Sequence, residues 1–247
     1  MIDAKTFPPY KMEINLEKLF DASCHLGHKV NLWNPAIKPF LYSKQSGIHI
    51  FDLEKTAQQI KLACGFVFDL AKNNKTLLLV STKKQIRDSI IKVAEESGCL
   101  YINHRWLGGL LTNWNQVNLS LKRMIEIEDG LVTGKYQKYT KFERNLLEKE
   151  VKRLQRFFGG LKKLKKMPDC ILIVDIKREL NALKEATYKH IPTIAIVDSN
   201  CNPSLVDLPI PANDDANSSV LAILEVILDA YKDGLKQKVV EKEIVEK

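Results

Sequence analysis

Short apolar runs and amphipathic stretches alternate along the chain. Runs rich in Ile, Val and Leu, with little polar alternation, are typical of strands buried on both faces of a sheet. Such runs lie at 47–53, 76–82, 100–103, 170–175 and 193–198. Apolar residues at helical spacing predict helices over 53–72, 84–97, 180–190 and from 218 to about 236. Strands that alternate with helices form right-handed βαβ units, so the pattern predicts an α/β fold with an open parallel sheet and helices on both faces.

Residues 104–168 break this alternation. Apolar side chains recur there at spacings of three and four, from Leu111 to Ile125 and again from Leu147 to Phe158. A polar segment, 129–141, separates the two stretches. The pattern therefore predicts an antiparallel helical hairpin, a short coiled coil, inserted between the third and fourth predicted strands.

Polar residues and glycines mark the ends of these two helices. Asn113 with Gln116, and Thr140 with Glu143, have the spacing of a capping box at a helix N-terminus. The glycine pair at 159–160 supplies the stop of the second helix.

These elements divide the chain into three parts. Residues 1–105 and 160–237 are predicted to form one discontinuous α/β domain, 106–159 the hairpin insertion, and 238–247 a charged, flexible C-terminal tail. A chain of 247 residues is long enough to bury one large core and carry such an insertion.

Composition argues against a membrane or secreted protein. No apolar run approaches the roughly 18 residues that a membrane helix needs. The start of the chain lacks both a signal-peptide core and an Arg- and Ser-rich transit character. The five cysteines are scattered without a CxxC spacing, which fits a reducing compartment better than a disulfide framework. We therefore expect a soluble chain, without a membrane partner, that works where it is made.

Charge is unevenly distributed along the chain. The net charge is +8, yet residues 135–166 alone hold 12 Lys and Arg against three Glu. Residues 198–247 hold ten acidic and five basic residues. A basic hairpin next to an acidic C-terminal region suggests a polyanionic partner for the hairpin, although a basic run can also be a solvated helix face.

The carboxyl end of an open parallel sheet is the usual place for a ligand, so an enzyme or small-molecule binder is the alternative. No GxGxxG or GxxxxGK[ST] motif follows any predicted strand. Residues 81–84, Ser-Thr-Lys-Lys, follow a strand and could hold a phosphate at a helix N-terminus. Asp175 and Asp198 end two strands and could form a carboxylate pair, but an Asp at this position also caps the following turn.

Cys24, His25 and His28 are the one candidate metal cluster. A helix would bring His25 and His28 to one face, and thiolate with imidazole suits zinc. No second ligand pair follows, and Gly27 suggests a helix end whose histidines bind backbone or a phosphate. We expect no metal and no other cofactor.

Basic residues interleaved with aromatic and amide side chains recur in three segments, 31–44, 103–114 and 159–168. Lys and Arg neutralise phosphates, amides bind sugar hydroxyls and exposed rings stack on bases, as in RNA recognition by shape. For Trp33, Trp106 and Trp114, however, a packing role is favoured over stacking on a base.

Three motifs, in this order, resemble the bacterial-type small-subunit ribosomal protein S-two family. They are LFDASCHLGHKVNLWNPAIKPFLY near the N-terminus, NHRWLGGLLTNW at 103–114, and the IPTIAIVDSN and IPANDD strings between 191 and 215. The resemblance covers residues 12–235, nearly the whole chain.

The resemblance implies a flavodoxin-like, five-stranded parallel sheet with a protruding helical hairpin, and no catalysis. It implies a place in the small ribosomal subunit, between its head and body, where the protein holds ribosomal RNA and helps attach ribosomal protein S-one. The expected partners are that RNA and neighbouring small-subunit proteins, not DNA and not a second copy of the chain. The expected location is the ribosome, in the cytoplasm or inside an organelle.

Motif residues and the basic residues of the hairpin together give the candidate RNA-binding set. It comprises His25, His28, Trp33, Asn34, Lys38, Lys83, Lys84, Asn103, Arg105, Trp106, Asn113, Trp114, Lys149, Lys152, Arg153, Arg156, Lys162, Lys163, Lys165 and Lys166.

Overall fold

The computed structural model describes Tyr10 and residues 12–245, with side chains through Gln237. The described chain begins with a short helix, α1 (Leu16–Asp21), and continues into a three-stranded antiparallel sheet. The strands of this sheet are β1 (Leu26–Lys29), β2 (Leu41–Gln45) and β3 (Ile48–Phe51), with β3 in the middle.

A parallel sheet of five strands forms the centre of the molecule. The chain reaches it through helix α2 (Leu53–Lys72), whose N-terminus is capped by the Asp52 carboxylate. The strands are β4 (Leu77–Val80), β5 (Leu100–Ile102), β6 (Cys170–Val174), β7 (Thr193–Val197) and β8 (Leu208–Pro211). They lie in the order β5-β4-β6-β7-β8, which is the strand order of flavodoxin-like doubly wound folds.

Helices lie on both faces of this sheet. They are α3 (Arg87–Ser97), α4 (Trp114–Val132), α5 (Lys141–Phe158), α6 (Leu180–Tyr188) and α7 (Asn217–Val245). Successive residues of a strand point to opposite faces. Leu77 and Leu79 therefore pack with α2, α3 and α7, whereas Leu78 and Val80 pack with α6, the start of α4 and part of the antiparallel sheet. Burial of each such side chain contributes roughly 1.5–3 kcal/mol.

The predicted fold class is confirmed, but one predicted strand was assigned to the wrong sheet. Residues 47–53 contain β3, which pairs antiparallel with β1 and β2. Its burial alternates, because one face packs on the core and the other does not. The missing parallel strand is β8, whose sequence LPIP contains two prolines. Proline lacks a backbone N–H, and β8 tolerates it because it is the edge strand.

Helices α4 and α5 form the predicted antiparallel hairpin, here called the hairpin (114–158). Ile127 of α4 is buried with Val151 of α5, and Leu121 and Met124 of α4 are buried in the cluster that contains Phe158 of α5. The hairpin interrupts the parallel sheet between its second and third strands in chain order, because the first predicted strand lies in the other sheet.

The two predicted capping boxes have different outcomes. Thr140 and Glu143 form one: the Thr140 side chain accepts from the Glu143 N–H, and the Glu143 carboxylate accepts from the Thr140 N–H. Asn113 does precede α4, but its side chain makes no capping hydrogen bond. Its backbone, at φ −121° and ψ 51°, is outside the extended region that an N-cap side chain requires.

Helix α7 continues to Val245, beyond the predicted end near residue 236. The charged tail predicted at 238–247 lies outside the residues whose side chains the structure describes. Across the described helices, none is long and apolar enough to cross a membrane.

Candidate nucleic-acid interface

The outer face of α5 carries four of the predicted RNA-binding residues. Lys149, Lys152, Arg153 and Arg156 are exposed, and Val151 on the opposite face is buried against α4. None of these four cations forms an ion pair with the described part of the chain. The hairpin therefore presents uncompensated positive charge to solvent.

The segment that follows α5, here called the hairpin exit (159–168), extends this surface. Lys162, Lys163, Lys165 and Lys166 are exposed, and Leu161 and Leu164 between them are buried in the core. This alternation anchors the backbone while the ammonium groups point outward.

Two of the exit lysines have partners within the fold. The Lys162 ammonium lies 2.9 Å from the Glu128 carboxylate, and the Lys166 ammonium lies 3.0 Å from Asp169. Such exposed pairs are weak, on the order of 0–1 kcal/mol, so a phosphate can displace them. Beside these lysines, residues of the exit and of β5 together line a groove of about 280 Å³.

The segment 103–113, here called the root turn, wraps around the carboxylate of Glu185 on α6. One oxygen accepts from Trp106 Nε1 at 2.9 Å and from the Gly109 N–H at 2.8 Å. The other accepts from the N–H groups of Leu111 at 3.0 Å and Thr112 at 3.2 Å. Burial raises the pKa of Glu185, but these hydrogen bonds outweigh burial and hold the pKa below its usual value.

Glu185 was missed by the sequence analysis. It lies on an amphipathic helix more than 70 residues beyond the root turn, and no local motif marks it. The string NHRWLGGLLTNW indicated a corner, but the acceptor that holds the corner becomes visible only in three dimensions.

The root turn separates the predicted contact residues into two groups. Arg105 and Asn113 are exposed and available to a partner. Trp106 is buried with its N–H bound to Glu185, which is the packing role that the sequence favoured for it. Trp114 is half-buried and packs on the core, and the Asn103 carbonyl accepts from Arg87 Nε at 3.0 Å.

The N-terminal candidates lie on and beside the antiparallel sheet. Trp33 packs against the His49 ring, with 4.9 Å between ring centroids. The Lys44 ammonium lies over the indole of Trp33. The Asn34 side chain accepts from the Ala36 N–H. Lys38 is exposed.

Polar side chains meet at the carboxyl end of the parallel sheet. This sheet-end cluster consists of His28, Lys83, Asp175, Asp198, Asp214 and Asp215. The Lys83 ammonium lies 2.9 Å from Asp214, 3.0 Å from Asp215 and 3.4 Å from Asp175.

Lys83 is only 5% exposed and has three carboxylate partners, so its charge is compensated within the fold. Burial alone would lower its pKa, but Asp214 and the other carboxylates outweigh burial and raise it. Burial, together with Asp175 and Asp198, raises the pKa of Asp214 to about 7. Lys84, the next residue, is exposed at the start of the turn before α3.

His28 joins this cluster to the antiparallel sheet. Its Nδ1 lies 3.0 Å from Asp198, and this hydrogen bond raises the pKa of the imidazole despite partial burial. The backbone N–H of His28 donates to Ser199 Oγ at 2.7 Å. A Cβ on Gly27 would lie 2.8 Å from the same oxygen, so β1 sits closely against the sheet end. The crevice that an enzyme would use is thus covered by the chain itself.

The three residues of the alternative metal site point to different partners. The Cys24 thiol is buried and faces the Ser219 carbonyl, the His25 ring stacks on Phe20 at 4.3 Å, and His28 binds Asp198. Within the residues that the structure describes, no group of three or more His, Cys, Asp or Glu side chains is arranged to hold a metal ion.

Fold and surface together define a doubly wound α/β protein that presents a basic helical hairpin to its partners. The sequence model of the family described as Ribosomal protein S2 matches residues 19–234. "Small ribosomal subunit protein uS2c" of Mesostigma viride is 40% identical over 225 residues, which is 91% of this chain and 99% of that protein. "Small ribosomal subunit protein uS2" of Koribacter versatilis is 42% identical over 221 residues, 90% of this chain and 73% of that protein.

A third relative, "Small ribosomal subunit protein uS2c" of Guillardia theta, is 42% identical over 223 residues, 90% of this chain and 95% of that protein. The chain therefore belongs to the ribosomal protein S2 family, whose members are structural components of the ribosome and not enzymes.

Proposed function

We propose that the chain is a structural constituent of the small ribosomal subunit and that the hairpin and its exit bind ribosomal RNA. The RNA contact rests on one observation: ten exposed cations lie along α5 and the hairpin exit, and only two of them have a carboxylate partner within the described residues. Such a surface fits a phosphate backbone, because each neutralised phosphate releases counterions into solution.

Arg105 and Asn113 at the root turn, with Lys38 and Lys84, give this surface flanking contacts. All four side chains are exposed. Recognition would rest on shape and backbone contacts, since charged side chains on a helix reach phosphates more readily than base edges of duplex RNA.

The resemblance to the family extends this proposal to three finer roles. The chain would brace the head and body of the small subunit, contact neighbouring small-subunit proteins, and help attach ribosomal protein S-one. It would act as a single copy, within ribosomes of the cytoplasm or of an organelle.

The salt dependence of RNA binding tests the phosphate contacts. The combined variant Lys149→Gln, Arg153→Gln and Arg156→Gln should lower the slope of log affinity against log salt by about one for each phosphate that the variant no longer neutralises. A filter-binding titration with small-subunit RNA measures this slope.

Lys61→Gln with Lys92→Gln is the control for the loss of two surface charges outside the hairpin, because both lysines are exposed on helices α2 and α3. An unchanged slope in the hairpin variant, or an equally reduced slope in the control, would contradict the proposed surface.

A further inference from the structure

The outer face of α5 is not basic along its whole length. Phe142, Leu146, Lys149, Arg153 and Arg156 follow one another at spacings of three and four and are all exposed, so they form one stripe along the helix, here called the α5 stripe. At 1.5 Å per residue the stripe is about 21 Å long. Three cations occupy its root half, and two apolar side chains occupy its tip half.

The apolar half of the stripe has no partner within the described part of the molecule. Phe142 is 71% exposed and Leu146 is 49% exposed, although both lie on a well-formed helix with a capping box. The hydrophobic core of the hairpin lies on the opposite face, around Val151 and Ile127. The two side chains therefore do not stabilise the hairpin.

The apolar pair runs directly into the basic half of the stripe. Lys149 lies three residues beyond Leu146 on the same face, and Arg153 follows it, whereas Lys141 and Arg144 are exposed on other sides of the helix. Neither Lys149 nor Arg153 forms an ion pair with the described residues. A polyanion bound to these two cations therefore lies next to the apolar pair.

From this arrangement we propose that the α5 stripe binds a single-stranded segment of RNA, with an unpaired base stacked on Phe142 and the neighbouring phosphates on Lys149 and Arg153. This inference rests on the proposed function and names the part of the RNA that the hairpin takes. Aromatic rings that stack on bases beside backbone-tracking cations are the general means of holding single strands.

The small size of the apolar pair favours a base over a protein partner. One aromatic side chain buries about 150–250 Å², whereas a stable protein interface needs about 800 Å² from each partner. The exposed Tyr139, three residues before Phe142, packs edge-on against Tyr136 and adds only part of a second ring, so the apolar surface stays below that area. A single base needs only one ring.

Substitutions at Phe142 test the stacking step. Full-length chain is titrated by fluorescence anisotropy with a labelled oligouridylate of about 12 nucleotides, within the range of known single-strand sites, and with a blunt RNA duplex of similar length. Phe142→Ala and Phe142→Leu should each weaken single-strand binding roughly tenfold. Phe142→Tyr, which keeps the ring, should bind like the parent chain. Duplex binding should be unchanged in all three.

Val132→Ala is the matched control, because Val132 is 88% exposed at the end of α4, off the α5 stripe. Equal single-strand affinity in the parent chain and Phe142→Ala, with duplex binding intact, would overturn the stacking inference and leave the proposed function standing. Failure of the parent chain to bind either RNA would overturn both. Weaker binding by Phe142→Ala that Phe142→Leu restores would show that apolar bulk, and not the ring, supports RNA binding, and would also overturn the inference.

Discussion

At the scale of single residues, Glu185 fixes the root turn by placing one carboxylate before several donors. Ionised carboxylates are acceptors only, and hydrogen bonds to them are about twice as strong as neutral ones. The turn includes Gly109 at φ 90°, a left-handed conformation that glycine adopts without strain. The Glu185 carboxylate thus connects α6 to the start of the hairpin.

Glu185→Gln should destabilise the protein by about 2–4 kcal/mol, because the amide NH₂ would face N–H donors that it cannot satisfy. Chemical denaturation at neutral pH measures this change in the free energy of unfolding. Lys184→Gln, an exposed change on the same helix, should have an effect within about 0.5 kcal/mol. An unchanged free energy of unfolding for Glu185→Gln would mean that the root turn does not depend on the negative charge of the Glu185 carboxylate.

The acid dependence of stability follows from the same carboxylate. The pKa of Glu185 is lower in the folded than in the unfolded chain, so its stabilisation is present above the unfolded value, about 4.3, and is lost as pH falls through the folded value. Glu185→Gln should therefore lose less stability than the parent chain below pH about 4. Parallel curves for the two proteins in that range would contradict the assignment.

The pKa of Asp214, in the sheet-end cluster, shifts in the opposite direction. Its pKa is raised to about 7, so the folded state favours the neutral acid and the associated stability declines as pH rises from about 4 to about 7. His28, whose pKa is also raised, adds to the decline as pH rises through its folded value. Asp214→Asn should flatten the slope of unfolding free energy against pH in this interval. The same slope in parent and variant would show that Asp214 is ionised throughout.

At the scale of elements, the hairpin exit lies close to the edge of the parallel sheet. A Cβ on Gly160 would collide with the Tyr101 carbonyl on β5, whereas a Cβ on Gly159 would meet nothing within 4 Å. The two neighbouring glycines thus differ sharply in their tolerance of a side chain.

Gly160→Ala should destabilise the fold by about 1–3 kcal/mol through this overpacking, and Gly159→Ala should be neutral or slightly stabilising. Thermal unfolding of the pair measures the difference. Equal melting temperatures would show that the exit moves away from β5 at little cost.

The elements that periodicity predicts well are those whose local pattern and tertiary role agree. The observed bounds of α2 match the prediction, and the two hairpin helices lie where the apolar spacing indicates. By contrast, β8 was missed because its two prolines are acceptable only at an edge, and edge position depends on the order of strands.

The site was less predictable than the fold for a physical reason. Sequence identifies the residue types that suit RNA, but burial decides which of them reach it. Lys83 and Trp106 have suitable chemistry and are buried among partners that lie between 79 and 132 residues away in the chain. The exposed stripe of α5 was only half predicted, because Phe142 and Leu146 have the composition of core residues.

At the scale of the whole molecule, the basic residues and the buried carboxylates lie in different parts of the protein. The basic residues of 135–166 lie on the hairpin and its exit, whereas the sheet end holds a cluster of carboxylates closed over by the antiparallel sheet. The hairpin is held at its root by Glu185 and at its exit by Leu161 and Leu164 in the core. A rigid α/β body thus positions one basic arm.

Sedimentation of the hairpin variant from cell lysate tests directly whether the hairpin holds the chain on ribosomal RNA. Lysate of cells expressing tagged parent chain or the combined variant Lys149→Gln, Arg153→Gln and Arg156→Gln is fractionated on sucrose gradients, with Lys61→Gln and Lys92→Gln as control. Parent and control should sediment with small subunits, and the variant should leave them at a lower salt concentration. Release of the variant and the parent chain at the same salt concentration would contradict the claim that the hairpin holds ribosomal RNA.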